Sequence, residues 1–169
     1  MTFQEAWDKA QAFHGCACPA LAIGTRATAY ILEQFELCGN GPYPVVCTAE
    51  SFSCAIDAVQ SLLGCTIGNG RLRVRSKGRM AFRFCDTRTD RSIYLALRPW
   101  LRARPGLTEK LLEMPLERLF LVARGDEAPE PSPNCILSSA CPIRAPHPVL
   151  RVPDPPCDDL YIRDFDRDW

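Results

Sequence analysis

Residues 14 to 19 (His-Gly-Cys-Ala-Cys-Pro) constrain the fold most, because they place metal-ligand side chains directly before a helix start. If the segment is extended, His14, Cys16 and Cys18 point to one side, since side chains alternate along a strand. Pro19 suits the first position of a helix, which makes Cys18 the N-terminal cap. The positive end of the helix dipole favours a thiolate there. The sequence therefore predicts that one imidazole and two thiols converge at a helix start.

Three helices are predicted around this segment. Residues 3–13 have apolar side chains at helical spacing, and residues 19–37 are apolar on most sides, which is typical of a buried helix. Gly24 in the second helix would let a neighbouring element approach closely. Ser51 is predicted to cap a third helix. The apolar face of that helix would consist of Phe52, Ile56, Val59 and Leu63.

The strands predict a mainly antiparallel sheet. Residues 45–48 form a short β-branched run, and residues 72–76 and 80–84 alternate apolar and polar side chains around a Lys-Gly-Arg loop. A three-residue loop would pair Val74 with Phe82 and would set Arg73 opposite Arg83. Such a like-charge pair is mildly unfavourable unless an anion or an acidic partner lies over that face. Further strands are predicted over residues 92–97 and 119–122, and short helices over residues 107–114 and from residue 115.

The composition changes sharply near residue 125. Nine of the fifteen prolines lie in residues 129–156, where apolar periodicity is lost. We therefore expect an α+β core domain over residues 1–124, with helices packed on the sheet, followed by an irregular Pro/Cys-rich tail over residues 125–169. The tail is either a segment without a metal site or a degenerate zinc-binding module, whose ligands would be Cys135, Cys141, His147 and Cys157.

Charge and hydropathy narrow the class of protein. The net charge is zero and the pI is near 6.7, which argues against a general nucleic-acid or membrane binder. Apolar runs are too short for a transmembrane helix, and the first residues do not resemble a signal peptide, so a cytoplasmic location is expected. In such a reducing compartment the ten cysteines are expected to be thiols, metal ligands or redox groups. Residues 71–104 hold eleven Lys and Arg against two Asp, so this stretch could face an anion.

The candidate site is rich in soft ligands. His14, Cys16 and Cys18 suit zinc, copper(I), iron or nickel better than hard cations, and zinc is the default expectation. Three ligands from one short segment leave a coordination position open. Cys54 and Cys65 are candidates to complete or flank the site, with ordinary packing as their alternative role.

Asp57 and Cys18 are the candidate catalytic residues. Asp57 could orient His14 or accept a proton, because a carboxylate commonly holds the second ring nitrogen of a ligating histidine. Cys18 is the predicted helix-start thiol.

Three motifs together resemble the FmdE family of formylmethanofuran dehydrogenase proteins. The first motif is His14-Gly15 with Cys18-Pro19, followed by an Ala/Gly-rich helix. The second is Glu-Ser-Phe-Ser-Cys-Ala-Ile-Asp-Ala-Val-Gln over residues 50–60. The third is Gly-Cys-Thr-Ile-Gly-Asn-Gly over residues 64–70. The resemblance covers roughly residues 1–124. It implies an α+β core that pairs into a homodimer and a metal-binding cavity lined by the motif residues.

The sequence departs from the family pattern at two positions of the first motif. Cys16 stands where the family usually has a second histidine, and Ala20 follows the proline in place of glycine. A thiolate in place of an imidazole adds negative charge and shifts preference towards soft metals or redox chemistry.

Three functions are compatible with these residues. The first is a metal-binding protein of the FmdE type, used for redox or one-carbon catalysis or for metal handling. The second is a thiol redox enzyme with Cys18 as the activated nucleophile and Cys16 or Cys54 as its resolving partner. The third is a non-catalytic partner that docks an anionic small molecule or an acidic protein on the Arg73/Arg83 face.

Overall fold

The computed structural model describes residues 1–39, 41–99, 101 and 106–125. Within them the chain forms five helices and five strands. The helices are α1 (Phe3–His14), α2 (Pro19–Gln34), α3 (Ala55–Leu63), α4 (Thr108–Glu113) and α5 (Leu116–Leu119). The strands are β1 (Val45–Ala49), β2 (Leu72–Val74), β3 (Ala81–Asp86), β4 (Arg91–Leu97) and β5 (Phe120–Arg124).

The strands form one sheet in the order β2-β1-β3-β4-β5. β1 pairs with β2 in parallel, and the other three pairings are antiparallel. The parallel pair requires a crossover, and α3 lies in the connection between β1 and β2, as parallel strands normally require. The predicted α+β class with a mainly antiparallel sheet is confirmed.

The helices cover one face of the sheet. Inward-facing strand residues such as Cys47, Phe84 and Leu95 share one apolar cluster with buried residues of α1, α2 and α3. The opposite face, which we call the outer face, carries the alternate positions, because strand side chains point to opposite sides in turn. The core therefore lies between the sheet and the helices.

Most predicted elements are present within a few residues of their expected bounds. α1 is fixed at its start by a capping box, in which Thr2 and Glu5 satisfy each other's backbone N–H groups. α2 begins at Pro19 with Cys18 as its N-cap, as predicted. Its close approach to a neighbour at Gly24 is also confirmed, because a Cβ built there would lie 2.3 Å from the carbonyl oxygen of Ala55.

The predicted hairpin of residues 72–84 is wrong. β1 lies between its two strands, so that Cys47 pairs with both Leu72 and Phe84, and Thr48 with both Arg73 and Arg83. The alternation of the two strands correctly indicates their faces, but it does not identify their partners. Arg73 and Arg83 remain on one face with Thr48 between them, and the like-charge pairing disappears.

Two local expectations are also wrong. The segment from residue 14 is not extended at its start, because His14 is the last residue of α1 and Gly15 follows in the left-handed region at φ 93°. The third helix begins at Ala55 and not after Ser51, and Phe52 is 61% exposed. The sheet still holds the backbone of Glu50, whose N–H donates to Ala81, so the chain must turn before a helix can start.

The predicted tail, including Cys135, Cys141, His147 and Cys157, lies outside the described residues, and the domain boundary near residue 125 stays a prediction. Among the helices that the structure describes, none combines the length and apolar composition needed to span a bilayer.

Candidate metal centre

Three helix ends meet at the candidate site. His14 ends α1, Cys18 caps the start of α2, and Cys54 directly precedes α3 at its N-cap position. One ligand atom from each of these residues lies within 4.8 Å of the other two. All three side chains are partly buried, so the group is not sealed in the core.

Asp57 orients the imidazole of His14. His14 Nδ1 lies 2.7 Å from Asp57 Oδ2, and the carboxylate can only accept, so Nδ1 carries the proton. In the neutral ring, Nε2 then presents its lone pair towards Cys18 Sγ, 3.6 Å away. Asp57 lies in the first turn of α3, three residues after Cys54, so one short helix start carries both groups.

The two thiols occupy different electrostatic settings. Cys18 Sγ accepts the backbone N–H of Leu21 at 3.4 Å, which ties the sulfur to the first turn of α2. Burial, and then the neighbouring Cys18 thiol, raise the pKa of Cys54 to about 11. Without a nearby cation, Cys54 is therefore a neutral thiol at pH 7.

Two glycines bring the helix ends together. Gly15 reverses the chain between α1 and α2, and its left-handed backbone lets its N–H close onto Gln11 at 2.8 Å. Gly24 allows the backbone of α2 to touch the first residue of α3, which is adjacent to Cys54. The first glycine places His14 near Cys18, and the second places Cys54 near both.

The ligand set fits a soft transition metal ion. With zinc–nitrogen distances of about 2.0–2.1 Å and zinc–sulfur distances of about 2.3 Å, tetrahedral geometry separates a nitrogen and a sulfur ligand by roughly 3.5 Å. The separation of His14 Nε2 and Cys18 Sγ, 3.6 Å, is close to this value. The bond from Nδ1 to a carboxylate is the outer interaction that ligating histidines usually make.

Cys16 and Cys65 lie outside this group. Cys16 is exposed in the turn between α1 and α2. Cys65 is fully buried beneath β1, where its thiol donates to the carbonyl oxygen of Val45 at 3.2 Å, and burial raises its pKa to about 12. Of the five sequence-predicted ligands, the structure brings together His14, Cys18 and Cys54, with the predicted Asp57 beside them.

The sequence alone did not assign a role to Gln60 or Glu50. Gln60 Nε2 donates to Asp57 Oδ1 at 3.2 Å, and the i, i+3 spacing on α3 was the available signal. Glu50 is 7% exposed and accepts from Lys77 at 2.8 Å, from Arg79 and from the Tyr94 hydroxyl at 3.1 Å. Burial alone would raise the pKa of Glu50, but the bonds from Arg79 and Lys77 outweigh it and hold the pKa below its usual value.

The fold and the site together define an α+β protein with an imidazole and two thiols at a junction of helix ends. A family model described as "FmdE, Molybdenum formylmethanofuran dehydrogenase operon" matches residues 13–121. The chain therefore belongs to the FmdE family, and the resemblance seen in its three motifs is confirmed.

Two individual proteins are similar to the chain. A crystal structure of a tungsten formylmethanofuran dehydrogenase FmdE-like protein from Syntrophus aciditrophicus shares the fold, with a TM-score of 0.50 and 24% sequence identity over 74% of this chain and 72% of that one. A probable S-adenosyl-L-methionine-binding protein from Archaeoglobus fulgidus is 30% identical over 77 residues, which are 43% of this chain. The match spans about a fifth (21%) of the length of that relative.

Proposed function

We propose that the chain is a metal-binding protein that holds one soft transition metal ion, zinc by default, between His14, Cys18 and Cys54. The observation that carries this proposal is the convergence of three ligand atoms from three helix ends, with Asp57 holding the imidazole. Membership of the FmdE family supports it.

The arrangement suits a working site better than a closed structural one. Three protein ligands leave one position of a tetrahedral ion open, and an ion bound there would act as a Lewis acid towards a fourth ligand. Asp57 and Gln60 fix the imidazole, and the Leu21 N–H holds the Cys18 sulfur. Oxidoreductase or one-carbon chemistry and metal handling both use such an open position, and Asp57, in contact with His14, is the carboxylate that would accept a proton.

Metal analysis under anaerobic conditions tests the proposal. The purified full chain is expected to contain close to one metal ion per protein, and Cys18→Ser is expected to lower metal affinity by more than about 100-fold. Cys38→Ser, at an exposed cysteine away from the group, is the matched control and should keep its metal. A wild-type protein that takes up no zinc, copper(I), iron or nickel would contradict the proposal.

A thiol redox function is the second candidate, and the contact between the thiols of Cys18 and Cys54 favours it. With glutathione disulfide as the oxidant, the Cys18 thiolate would attack one of its sulfurs and release one glutathione thiol, and Cys54 would then displace the second glutathione thiol to leave a Cys18–Cys54 disulfide. This candidate predicts a metal-free protein whose Cys18 is alkylated rapidly and forms a disulfide with Cys54 in glutathione buffers. Stoichiometric metal that protects Cys18 from alkylation would exclude it.

The homodimer implied by the family resemblance and the cytoplasmic location remain proposals. Sedimentation of the full chain tests the first, and fractionation of the source cells tests the second.

A further inference from the structure

The strand β2 forms one edge of the sheet. β1 is its neighbour on one side, and no strand of the described chain pairs with its other side. Backbone bonds continue past the end of β2, because the Arg75 N–H donates to Ala49 and the Lys77 N–H donates to Glu50, each at 2.8 Å. We call residues 72–76 the β2 edge. One side of its backbone is held by the sheet, and the other side has no strand beside it.

The backbone groups of Leu72 and Val74 face away from β1. The bonds to β1 are made by residues on either side of them, Arg71 and Arg75, and the backbone groups of a strand point to alternate sides. The Leu72 N–H donates to the carbonyl oxygen of Thr66 at 3.1 Å. The Val74 N–H and the carbonyl groups of Leu72 and Val74 have no backbone partner among the described residues. They are therefore open to an added strand.

The outer face of the β2 edge is positively charged. Arg73 and Arg75 are two residues apart, so their side chains lie on the same face, and both are partly exposed. No described residue forms an ion pair with either of them. Residues 58–85 contain six Lys and Arg and no Asp or Glu, so this part of the sequence supplies no carboxylate. Two positive charges therefore stand beside the open backbone without a partner in the described chain.

The inner face of the β2 edge is apolar. Leu72 belongs to the core, and Val74 packs against the core while it stays partly exposed. Ile67 lies in the loop just before β2, which the bond from Leu72 to Thr66 holds against the start of the edge, and it is 66% exposed. A strand added here would meet apolar side chains on its inner face and arginines on its outer face.

A second copy of the β2 edge does not fit this surface. Like charges that face each other across a strand pair are destabilising, and two copies would bring Arg73 and Arg75 against their own equivalents. Short edges with positive side chains resist pairing with one another for this reason. Acidic residues on the incoming strand replace this repulsion by attraction, so the charge selects an acidic partner.

We propose that the β2 edge binds an extended acidic segment of a partner protein by strand addition. The segment pairs its backbone with the open groups of Leu72 and Val74, and its side chains point to the two faces in turn. Two acidic side chains, two residues apart, meet Arg73 and Arg75. The apolar residue between them packs beside Val74. The pattern that this edge recognises is therefore acidic, apolar, acidic.

This binding site is independent of the proposed metal centre. The β2 edge uses an exposed strand, whereas His14, Cys18 and Cys54 lie at three helix ends. Arg73→Gln should therefore keep the metal content of the wild type. Failure of one proposal does not imply failure of the other.

Fluorescence anisotropy with a labelled synthetic peptide tests the proposal. The probe alternates aspartate and valine over about seven residues, an ordinary strand length, and is titrated with the full chain at low salt. We expect saturable binding that weakens about two- to fivefold in Arg73→Gln and in Arg75→Gln, and about tenfold in the double variant. Arg118→Gln on α5, with the same loss of charge, is the matched control and should bind as the wild type does.

A second peptide separates strand addition from charge attraction. Methylation of the backbone nitrogens keeps the sequence and the charges but removes the donors that an added strand needs, so binding to the wild-type chain should weaken by about tenfold or more. Equal binding of the methylated peptide, equal affinity in the double arginine variant, or no saturable binding of the acidic probe would overturn the proposal. Tighter binding of a single-stranded oligoribonucleotide than of the probe would overturn it in favour of nucleic-acid recognition.

Discussion

Cysteines occur in two contrasting regions of the molecule. Cys18 and Cys54 stand at the N-cap positions of two helices, are partly buried and lie close to His14, although only Cys18 accepts a backbone N–H with its side chain. Cys47 on β1 and the neighbouring Cys65 are fully buried in the core. Burial raises the pKa of Cys54, Cys47 and Cys65 alike. The chemical difference therefore comes from the neighbours, because among the described residues the helix-end pair lies next to an imidazole, that of His14.

The helix ends explain why those neighbours are polar. A helix leaves backbone N–H groups unpaired at its start, so side chains there are selected to accept hydrogen bonds and remain partly open to solvent. A strand interior pairs all its backbone groups and favours apolar contacts, where a cysteine behaves as a small core residue. We infer that a place at a helix start within reach of an imidazole, and not thiol content, separates the proposed metal ligands Cys18 and Cys54 from the packing residues Cys47 and Cys65.

Asp57→Asn gives the largest expected change within this comparison. The amide can still accept from His14 Nδ1 but loses the charge that strengthens the bond, and changes to such outer groups typically lower metal affinity about 10–100-fold. Competition with a chromophoric chelator measures the zinc affinity. Asp8→Asn, an equal charge change on the exposed side of α1, is the control. Unchanged affinity in Asp57→Asn would mean that the carboxylate does not orient the imidazole.

Cys47→Ser should lower the stability of the fold and leave metal binding unchanged. It places a hydroxyl in an apolar environment, which we expect to lower the free energy of unfolding by about 1–3 kcal/mol. Metal content of the folded protein should stay at the wild-type value. Urea unfolding and metal analysis of the same sample check both parts. Loss of metal without loss of stability would place Cys47 in the site and remove the distinction between the two regions.

The sequence predicted features that depend on neighbouring residues better than contacts between residues far apart in the chain. Cys18 as a cap follows from the adjacent Pro19, and the placement of Asp57 on the same side of α3 as Cys54 follows from their i, i+3 spacing. Partner choice in the sheet could not be predicted, because period-two alternation defines faces and gives no information on which strand lies next to β2. Parallel pairing with β1 depends on a crossover through α3, which is a contact between distant parts of the chain.

The sequence also could not predict which cysteines lie at the site and which are packed in the core. Alternation of side chains along an extended segment 14–18 predicts Cys16 and Cys18 on the same side as His14. The left-handed backbone of Gly15 breaks the alternation between His14 and Cys16. Cys65 follows a helix and a glycine, much as a site residue would, yet its thiol turns into the core towards Val45. Burial of a single thiol depends on packing among several elements, and no short motif encodes it.

X-ray absorption spectroscopy of the zinc-loaded full chain tests the central claim most directly. The His14, Cys18 and Cys54 site predicts a first shell of one imidazole nitrogen, two sulfurs and one light atom at the open position. The Cys54→Ser protein should lose one sulfur from that shell, and Cys65→Ser should lose none. A shell without sulfur, or a shell of three or more sulfurs that includes Cys16 or Cys65, would contradict the account.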